Sequence, residues 1–204
     1  MNQRSEASTI RYYDDHTEEY VSATAGVDME TLYRPFLELM PEGGTILDAG
    51  CGSGRDTKAF ADRGYCVRSI DASAKMVAAT TQLTGQPAQQ LQFQELDFTD
   101  AFDGIWACAS LLHVPLTVLD DVLTRFATSL HPGGICYLSF KEGFGERMEG
   151  DRIFVDFTED ALRDRLKRQQ LVEILRTWIT NDLRPGRSER WVNAIVERKS
   201  ESEC

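Results

Sequence analysis

No apolar run in this sequence approaches the roughly 18 residues that a membrane-spanning helix requires. The N-terminal stretch MNQRSEASTIRYYDDH is polar and lacks the apolar core of a secretory signal, so we expect a cytoplasmic protein without membrane contact. No linker is long enough to mark a domain boundary. The 204 residues suffice for one domain with a proper core, and we expect a single domain over residues 1–204.

Positive charge is scarce, because 33 Asp and Glu residues outnumber 22 Lys and Arg residues and leave a net charge of −11. Nucleic-acid binding depends on clustered Lys and Arg, so nucleic acid is a disfavoured partner. Most arginines of the C-terminal third fall on predicted helix faces or loops that also carry acids, which is typical of a solvated surface. We expect a small-molecule partner, and the composition indicates no oligomeric state.

The five cysteines form no CxxC pair and no cluster with histidine, so neither a metal site nor a disulfide framework is predicted. Four of them lie in or beside predicted strands, as small buried hydrophobes do in a reducing compartment. The cysteines are Cys51, Cys66, Cys108, Cys136 and Cys204.

Strands and helices alternate through the middle of the chain, which predicts right-handed βαβ units and a parallel sheet. Residues 8–25 and 29–40 precede them as helices, and residues 141–157 form a long loop or hairpin that is a candidate lid. The chain closes with an antiparallel hairpin around a Pro-Gly turn. The predicted strands are 45–49, 66–70, 91–95, 104–109, 135–140, 171–179 and 191–197, and the intervening helices are 55–63, 73–84, 116–130 and 158–169.

The most informative stretch is 45–54, TILDAGCGSG, in which an apolar strand, an acid and three glycines precede a helix. A strand that enters a glycine turn at a helix N-terminus is where open α/β sheets bind nucleotides. The spacing fails the Gly-x-Gly-x-x-Gly fingerprint of dinucleotide binding, because Arg55 and Thr57 stand where the third glycine is needed. No Gly-x-x-x-x-Gly-Lys phosphate loop is present either, so the ligand is not expected to be held by a pyrophosphate.

The segment LDAGCGSG, residues 47–54, is similar to the first motif of class I S-adenosylmethionine-dependent methyltransferases. The order of elements over roughly residues 30–197 agrees with that family. Arg55-Asp56 and the HPGG turn at 131–134 resemble the small bacterial branch that includes tellurite-resistance methyltransferases. The resemblance implies a Rossmann-like α/β fold: a seven-stranded, mostly parallel sheet with helices on both faces and an antiparallel C-terminal strand. It also implies methyl transfer from S-adenosylmethionine, which leaves as S-adenosylhomocysteine.

The glycine loop suits the methionine end of this cofactor. Gly50 and Gly52 let the backbone approach the ligand, and Asp48 is placed to orient its ammonium and favour the sulfonium. Asp71, about twenty residues further on at a strand end, is either the acceptor for the ribose hydroxyls or only an acid at a helix N-terminus. The loop residues assigned to cofactor binding also include Cys51, Gly54 and Arg55.

The adenine and sulfonium contacts come largely from the resemblance. Ala72 and Met76 would flank the adenine, although Met76 is nearly as well explained as core. Asp97 resembles the acid that meets the adenine amino group, with Phe98 supplying backbone, and Glu95 is the competing candidate. Asp103 begins a strand like the fourth motif, whose end passes under the sulfonium. The backbone carbonyls there would come from Cys108, Ala109 and Ser110.

His113 follows the same strand end and is either a general base, since its ordinary pKa is near neutrality, or a buttress for the next helix. Tyr13 and Tyr20, with Tyr12, either roof the active site, where aromatic faces favour a sulfonium, or pack on the sheet. Lys141, Arg147 and Arg152 are candidates for contact with an anionic acceptor, and surface solubility is their plainer interpretation.

Methyl transfer by in-line displacement needs mainly a near-attack geometry, so a dedicated base is not required by the chemistry. A small molecule is the expected acceptor. The alternatives are a tRNA or protein acceptor, or a module that binds the cofactor without turnover.

Overall fold

The computed structural model describes residues 2–200, with side chains from residue 6 onward, so Cys204 lies outside the described residues. The strands are β1 (Thr45–Ala49), β2 (Cys66–Asp71), β3 (Gln89–Gln90), β4 (Phe102–Ala107), β5 (Leu130–Lys141), β6 (Gly145–Glu149), β7 (Arg152–Asp156), β8 (Val172–Asn181) and β9 (Arg190–Arg198). The α-helices are α1 (Asn2–Asp15), α2 (Thr17–Thr24), α3 (Glu30–Leu37), α4 (Arg55–Ala61), α5 (Ala74–Thr84), α6 (Leu116–Ser129) and α7 (Glu159–Lys167).

Seven strands form one sheet in the order β3-β2-β1-β4-β5-β9-β8. Strand β1 pairs in parallel with β2 and β4, and β4 pairs in parallel with β5. Strand β9 is antiparallel to both β5 and β8. The predicted fold class is therefore confirmed, including the antiparallel C-terminal strand.

The sheet separates two apolar cores, because successive side chains of a strand point to opposite faces. Ile46, Trp106 and Tyr137 belong to the core under α3 and α4, with the two large rings stacked at 4.0 Å between centroids. Leu47 and Ile105 belong to the other core, which α6 and α7 cover. Helices thus lie on both faces, and the carboxyl ends of the parallel strands stay open at one edge.

The strand predicted at 91–95 is wrong. Only Gln89 and Gln90 pair with β2, and residues 93–95 form a short 3₁₀ helix. The Gln92 amide donates to the Glu95 carboxylate at 3.0 Å, which closes the turn, and the Phe93 ring packs edge-on against Phe126 of α6. The alternating LQFQEL pattern imitates a strand, but tertiary packing of Phe93 decides the conformation.

Residues 141–157 contain a β-hairpin, formed by β6 and β7. Helix α1 packs against β7, where the amide of Ile153 donates to the Thr9 hydroxyl at 3.0 Å. At its other end α1 is tied to α5, because Asp14 accepts hydrogen bonds from the Ser73 hydroxyl at 2.6 Å and the Lys75 amide at 3.2 Å. The N-terminal helices therefore cross the open edge of the sheet. Within residues 2–200, no helix has the length and apolarity to span a bilayer.

Candidate functional site

A cleft opens at the carboxyl ends of β1, β2 and β4, between the sheet edge and helix α1. We call it the loop cleft, because the glycine turn after β1 forms its floor. Its lining residues include Thr9, Ile10, Tyr13, Tyr20, Gly50, Gly52, Asp71, Ala72, Ser73, Met76, Leu91, Gln92, Phe93, Gln94, Ala109, Ser110 and His113. Seven of the sequence-predicted cofactor residues meet here: Tyr13, Tyr20, Gly50, Gly52, Asp71, Ala72 and Met76.

Close approach of neighbouring segments explains the glycines of the turn. Gly50 has φ +84°, and a Cβ there would lie 2.4 Å from the Cβ of Ser110. Gly54 has φ +80°, and its Cβ would lie 2.9 Å from the Cα of Thr80 in α5. Because L side chains rarely adopt such φ values, both positions need glycine on two independent grounds. Glycine at position 50 lets the turn lie against the loop after β4, and glycine at position 54 lets α4 and α5 pack closely.

Asp71 ends β2 and faces the loop cleft. Its two carboxylate oxygens accept hydrogen bonds from the amides of Gly52 at 3.0 Å and Ser73 at 2.9 Å. Burial nevertheless raises the pKa of this carboxyl to about 6, because the two amide donors offset only part of the desolvation. A carboxylate with two donors retains lone pairs for two more, which suits a vicinal diol.

The far end of the loop cleft is built from residues that the sequence analysis did not single out. Residues 91–94 line it, together with Ala72 and Met76. Asp97 is exposed and is not among the described lining residues. Phe98 instead packs edge-on against Phe102 and under the guanidinium of Arg68, 4.4 Å from the ring centroid. The chain leaves the cleft after residue 94 because of the 3₁₀ turn.

Three other predicted cofactor residues lie beneath the turn instead of along the cleft. Asp48 is buried and accepts a hydrogen bond from the Thr57 hydroxyl at 2.6 Å. Burial, with Asp56 close by, holds the pKa of the Asp48 carboxyl well above its usual range. Cys51 is buried, and its Sγ accepts from the Thr80 hydroxyl at 3.3 Å. Gly54 makes the α4–α5 contact described above.

Arg55 does not point into the loop cleft. Its guanidinium binds the carboxylate of Asp56 at 2.6 and 2.9 Å, and that carboxylate also accepts from Tyr33 at 2.5 Å and Trp106 at 2.9 Å. Burial alone would raise the pKa of Asp56, but Arg55 and these donors hold it below its ordinary value. The pair is a buried anchor for the start of α4.

A second cavity of about 230 Å³ adjoins the loop cleft and extends under the β8–β9 end of the sheet. The two spaces share the side chains of Tyr13, Tyr20, Ala109 and His113 as a common wall. Its other lining residues include Tyr12, Arg55, Cys108, Tyr137, Ser139, Lys141, Glu149, Arg152, Phe154, Asp182, Arg184, Glu189, Trp191 and Asn193. Cys108 thus faces this cavity and not the loop cleft.

His113 and Tyr13 form a hydrogen-bonded pair in the common wall. The imidazole Nδ1 lies 2.7 Å from the carbonyl of Ile153, which can only accept, so Nδ1 carries the proton. Nε2 then accepts from the Tyr13 hydroxyl, also at 2.7 Å. Burial, with smaller contributions from nearby Arg152 and Lys141, lowers the pKa of His113 to about 4. The ring is therefore neutral at physiological pH.

Tyr20 completes the wall. Its ring lies 5.3 Å from that of Tyr13 in an edge-on arrangement and closes over Gly52, whose Cβ would stand 3.2 Å from the Tyr20 ring. Burial raises the pKa of Tyr13 to about 12 and that of Tyr20 higher still, so both remain neutral phenols. Two aromatic faces thus stand at the junction of the two spaces, where a cationic centre gains cation–π attraction.

Comparison with known proteins places the site in context. Residues 47–138, which run from β1 into β5, match a family described as a methyltransferase domain. Over 111 residues the chain is 34% identical to the ubiquinone biosynthesis O-methyltransferase of Paramagnetospirillum magneticum, a match covering 52% of this chain and 42% of that protein. The chain spans about half the length of the curated relatives it matches.

Two solved structures share the whole architecture. The 1,6-didemethyltoxoflavin N1-methyltransferase of Burkholderia thailandensis, with 1,6-didemethyltoxoflavin and S-adenosylhomocysteine bound, superposes with a TM-score of 0.76 at 22% identity, covering 94% of this chain and 85% of that one. The 4+2 cyclase SpnF superposes with a TM-score of 0.74 at 16% identity, covering 93% and 94%. At these identities the likeness shows the fold, and different activities occur on it.

Proposed function

We propose that the chain is a class I S-adenosylmethionine-dependent methyltransferase and that it methylates a small-molecule acceptor held in the second cavity. The observation that carries the proposal is the common wall of Tyr13, Tyr20 and His113. These side chains stand between the loop cleft and the second cavity, so the two spaces meet at one junction. A donor methyl and an acceptor atom held there would be in a near-attack arrangement.

The residues of the loop cleft fit S-adenosylmethionine. The glycine turn leaves room where a Cβ would collide, and Asp71 offers free lone pairs to a ribose diol. The Ser110 hydroxyl is buried beside Gly50 and has no hydrogen-bond partner among the described residues, so a polar ligand atom is needed there. Phe93, Ala72 and Met76 supply the apolar walls for a purine. Asp97 and Phe98 have no part in the proposed adenine contact.

When bound, S-adenosylmethionine supplies an electrophilic methyl group on a sulfonium. The protein's own contribution begins with Tyr13 and Tyr20, whose rings favour the sulfonium and exclude water from the junction. Asp48, beneath the turn, acts through Thr57 and the fold of the loop instead of touching the ligand. Arg55 likewise fixes α4 through Asp56.

His113 is proposed to take up the acceptor's proton through Tyr13. During methyl transfer the acceptor's proton would pass to the Tyr13 oxygen, and the Tyr13 proton would pass to Nε2 of His113, to which Tyr13 is already hydrogen-bonded. A base with a pKa near 4 would be too weak to ionise a resting alcohol or amine. It suffices here, because bonding to the methyl group makes the acceptor atom strongly acidic.

A small acceptor is favoured over RNA or protein by the second cavity itself, which helices α1 and α2 and the β6–β7 hairpin partly enclose. Its volume suits a molecule of modest size. The named relatives point the same way, because ubiquinone biosynthesis and toxoflavin methylation both concern small organic molecules. The net charge of −11 also disfavours a nucleic-acid surface.

Two measurements test the proposal. S-adenosylhomocysteine should raise the melting temperature, NAD should not, and the Asp71→Ala variant should lose the shift. Labelled methyl from S-adenosylmethionine should then appear in the small-molecule fraction of a cell extract. Label confined to RNA or protein would refute the acceptor class, and absence of any S-adenosylhomocysteine effect would refute the cofactor.

A further inference from the structure

The second cavity contains charged groups of two kinds. Arg184 is tightly paired with Asp182 at 2.5 Å, as Arg55 is with Asp56 at 2.6 Å. Lys141 and Arg152 are not matched in this way. Both are largely enclosed, and neither has a close carboxylate of its own.

Lys141 ends β5, and its side chain is only 15% exposed. The nearest described carboxylate is that of Glu189, 3.8 Å from Nζ, and Glu189 is shared with Arg187 at 4.0 Å. The Lys141 side chain is therefore largely enclosed, and its ammonium has only this long ion pair and the ring of Phe154 as described partners. Solubility therefore does not explain it.

Arg152 begins β7, and its side chain is 22% exposed. Its Nη2 lies 3.4 Å from Glu149, which binds Arg147 more closely at 2.6 Å. Its Nε is buried with no hydrogen-bond partner among the described residues. Arg152 lines the second cavity, and a guanidinium with an unused donor there indicates a missing acceptor atom.

The two cations lie over the same aromatic ring. Nζ of Lys141 is 4.7 Å and Cζ of Arg152 is 5.0 Å from the centroid of Phe154. Two like charges held this close repel each other, and Glu149, the carboxylate nearest to Arg152, is already bound more closely by Arg147, which lies over the same ring. Lys141 and Arg152 also line the second cavity, whose common wall with the loop cleft contains His113.

We propose that Lys141 and Arg152 together bind a carboxylate of the acceptor over the ring of Phe154, so that the substrate is a small organic anion. The inference rests on the proposed function and specifies its substrate class. A carboxylate accepts from the Arg152 Nε and from the Lys141 ammonium at once, which would complete both partnerships. The aromatic side chains of Tyr12 and Trp191 would border the remainder of the molecule.

The experiment compares benzoate with benzamide, which has nearly the same shape but no charge. Binding of each is measured by calorimetry, with and without S-adenosylhomocysteine. Benzoate should bind measurably more tightly than benzamide. Lys141→Met and Arg152→Met should each weaken benzoate binding by about tenfold or more, since hydrogen bonds to charged groups are the strong ones.

Arg190→Met is the matched control, because it removes the same charge from an exposed residue outside the cavity lining. It should leave benzoate binding unchanged. Retention of the S-adenosylhomocysteine melting shift shows that each variant is folded. Failure of S-adenosylhomocysteine to bind the unmodified protein would refute the proposed function. The comparison of benzoate with benzamide in the absence of S-adenosylhomocysteine would still test the anion site. Equal binding of benzoate and benzamide, no benzoate binding, or full benzoate binding by the double variant would overturn the anion site.

Discussion

Acidification should weaken the binding of S-adenosylhomocysteine, because one carboxyl in the loop cleft titrates within the usable pH range. Burial raises the pKa of Asp71 to about 6, despite the amide donors of Gly52 and Ser73. Only the ionised carboxylate can accept both ribose hydroxyls, since the protonated form loses acceptor capacity. The competent fraction of the protein therefore falls as the pH passes below 6.

The size of the effect follows from the titration. At about pH 7.5 nearly every molecule has an ionised Asp71, and at about pH 5 roughly one in eleven does. An apparent dissociation constant rises by the reciprocal of the competent fraction, so binding should weaken about tenfold over this range. The carboxyl and ammonium groups of the ligand do not titrate there, and the ligand contributes little.

In the unliganded protein, the contribution of Asp71 to folding stability should increase on acidification, whereas ligand affinity decreases. A carboxyl whose folded pKa is raised favours the folded state most when it is protonated, below about pH 4, and this contribution is lost as the pH rises through about 6. Affinity and this part of the stability therefore change in opposite directions. If acid simply unfolded the protein, affinity and stability would fall together. Opposite changes therefore distinguish titration of Asp71 from general acid unfolding.

Calorimetric titration at half-unit pH steps measures the effect directly. The Asp71→Asn variant serves as control: it should bind more weakly at neutral pH and show no step near pH 6. Constant affinity between about pH 7.5 and 5 would refute the reasoning, as would an unchanged pH step in the variant. Far-UV circular dichroism at each pH verifies that the protein stays folded.

Gly50→Ala should abolish cofactor binding and lower the free energy of unfolding by about 1–3 kcal/mol, because its Cβ would lie 2.4 Å from the loop after β4. Gly133→Ala is the control, because Gly133 also has positive φ but lies in open space. It should lower the free energy of unfolding by about 1 kcal/mol and leave cofactor binding intact. Asp56→Asn should lower the free energy of unfolding by about 3 kcal/mol or more in urea titrations, since it leaves a buried guanidinium uncompensated. Tyr13→Phe and His113→Ala should each lower kcat by about 100-fold with the dissociation constant of S-adenosylhomocysteine unchanged, and the double variant should be no worse than either. Unchanged turnover in either single variant would remove the proton-relay role.

The sequence predicted the parts of the site that depend on local chain geometry. Gly50 and Gly52 at a strand–helix turn, and Asp71 at the end of the next strand, were predicted from the turn pattern and the resemblance to methyltransferases, and all three line the loop cleft. This succeeds because parallel strands bring their carboxyl ends to one edge, so that position in the chain fixes position in the site. Ala72 and Met76 follow from the same geometry.

The sequence did not predict which side chains of the segment after β3 line the cleft. Asp97, predicted from the resemblance to meet the adenine, is not among the described lining residues, whereas Phe93 in the 3₁₀ turn at 93–95 is. Arg55 and Cys108 are adjacent to cleft residues in sequence, yet both face the second cavity. A strand or helix places neighbouring side chains on different faces, and the sequence does not say which face a ligand occupies.

The sequence by itself determined the donor half of this protein: the alternating elements, the glycine turn and the acid at the end of β2. These features are encoded within single βαβ units, whose handedness and turn geometry follow from backbone sterics. Only the tertiary structure decided the acceptor half. The Tyr13–His113 pair spans 100 residues, and Lys141 meets Arg152 only where β5 and the β6–β7 hairpin converge over Phe154. The contact between Tyr13 and His113 arises from how the whole chain packs, so no local pattern predicts it. Lys141 and Arg152 are close in sequence and were candidates for an anionic acceptor, but only the fold brings both side chains onto the ring of Phe154.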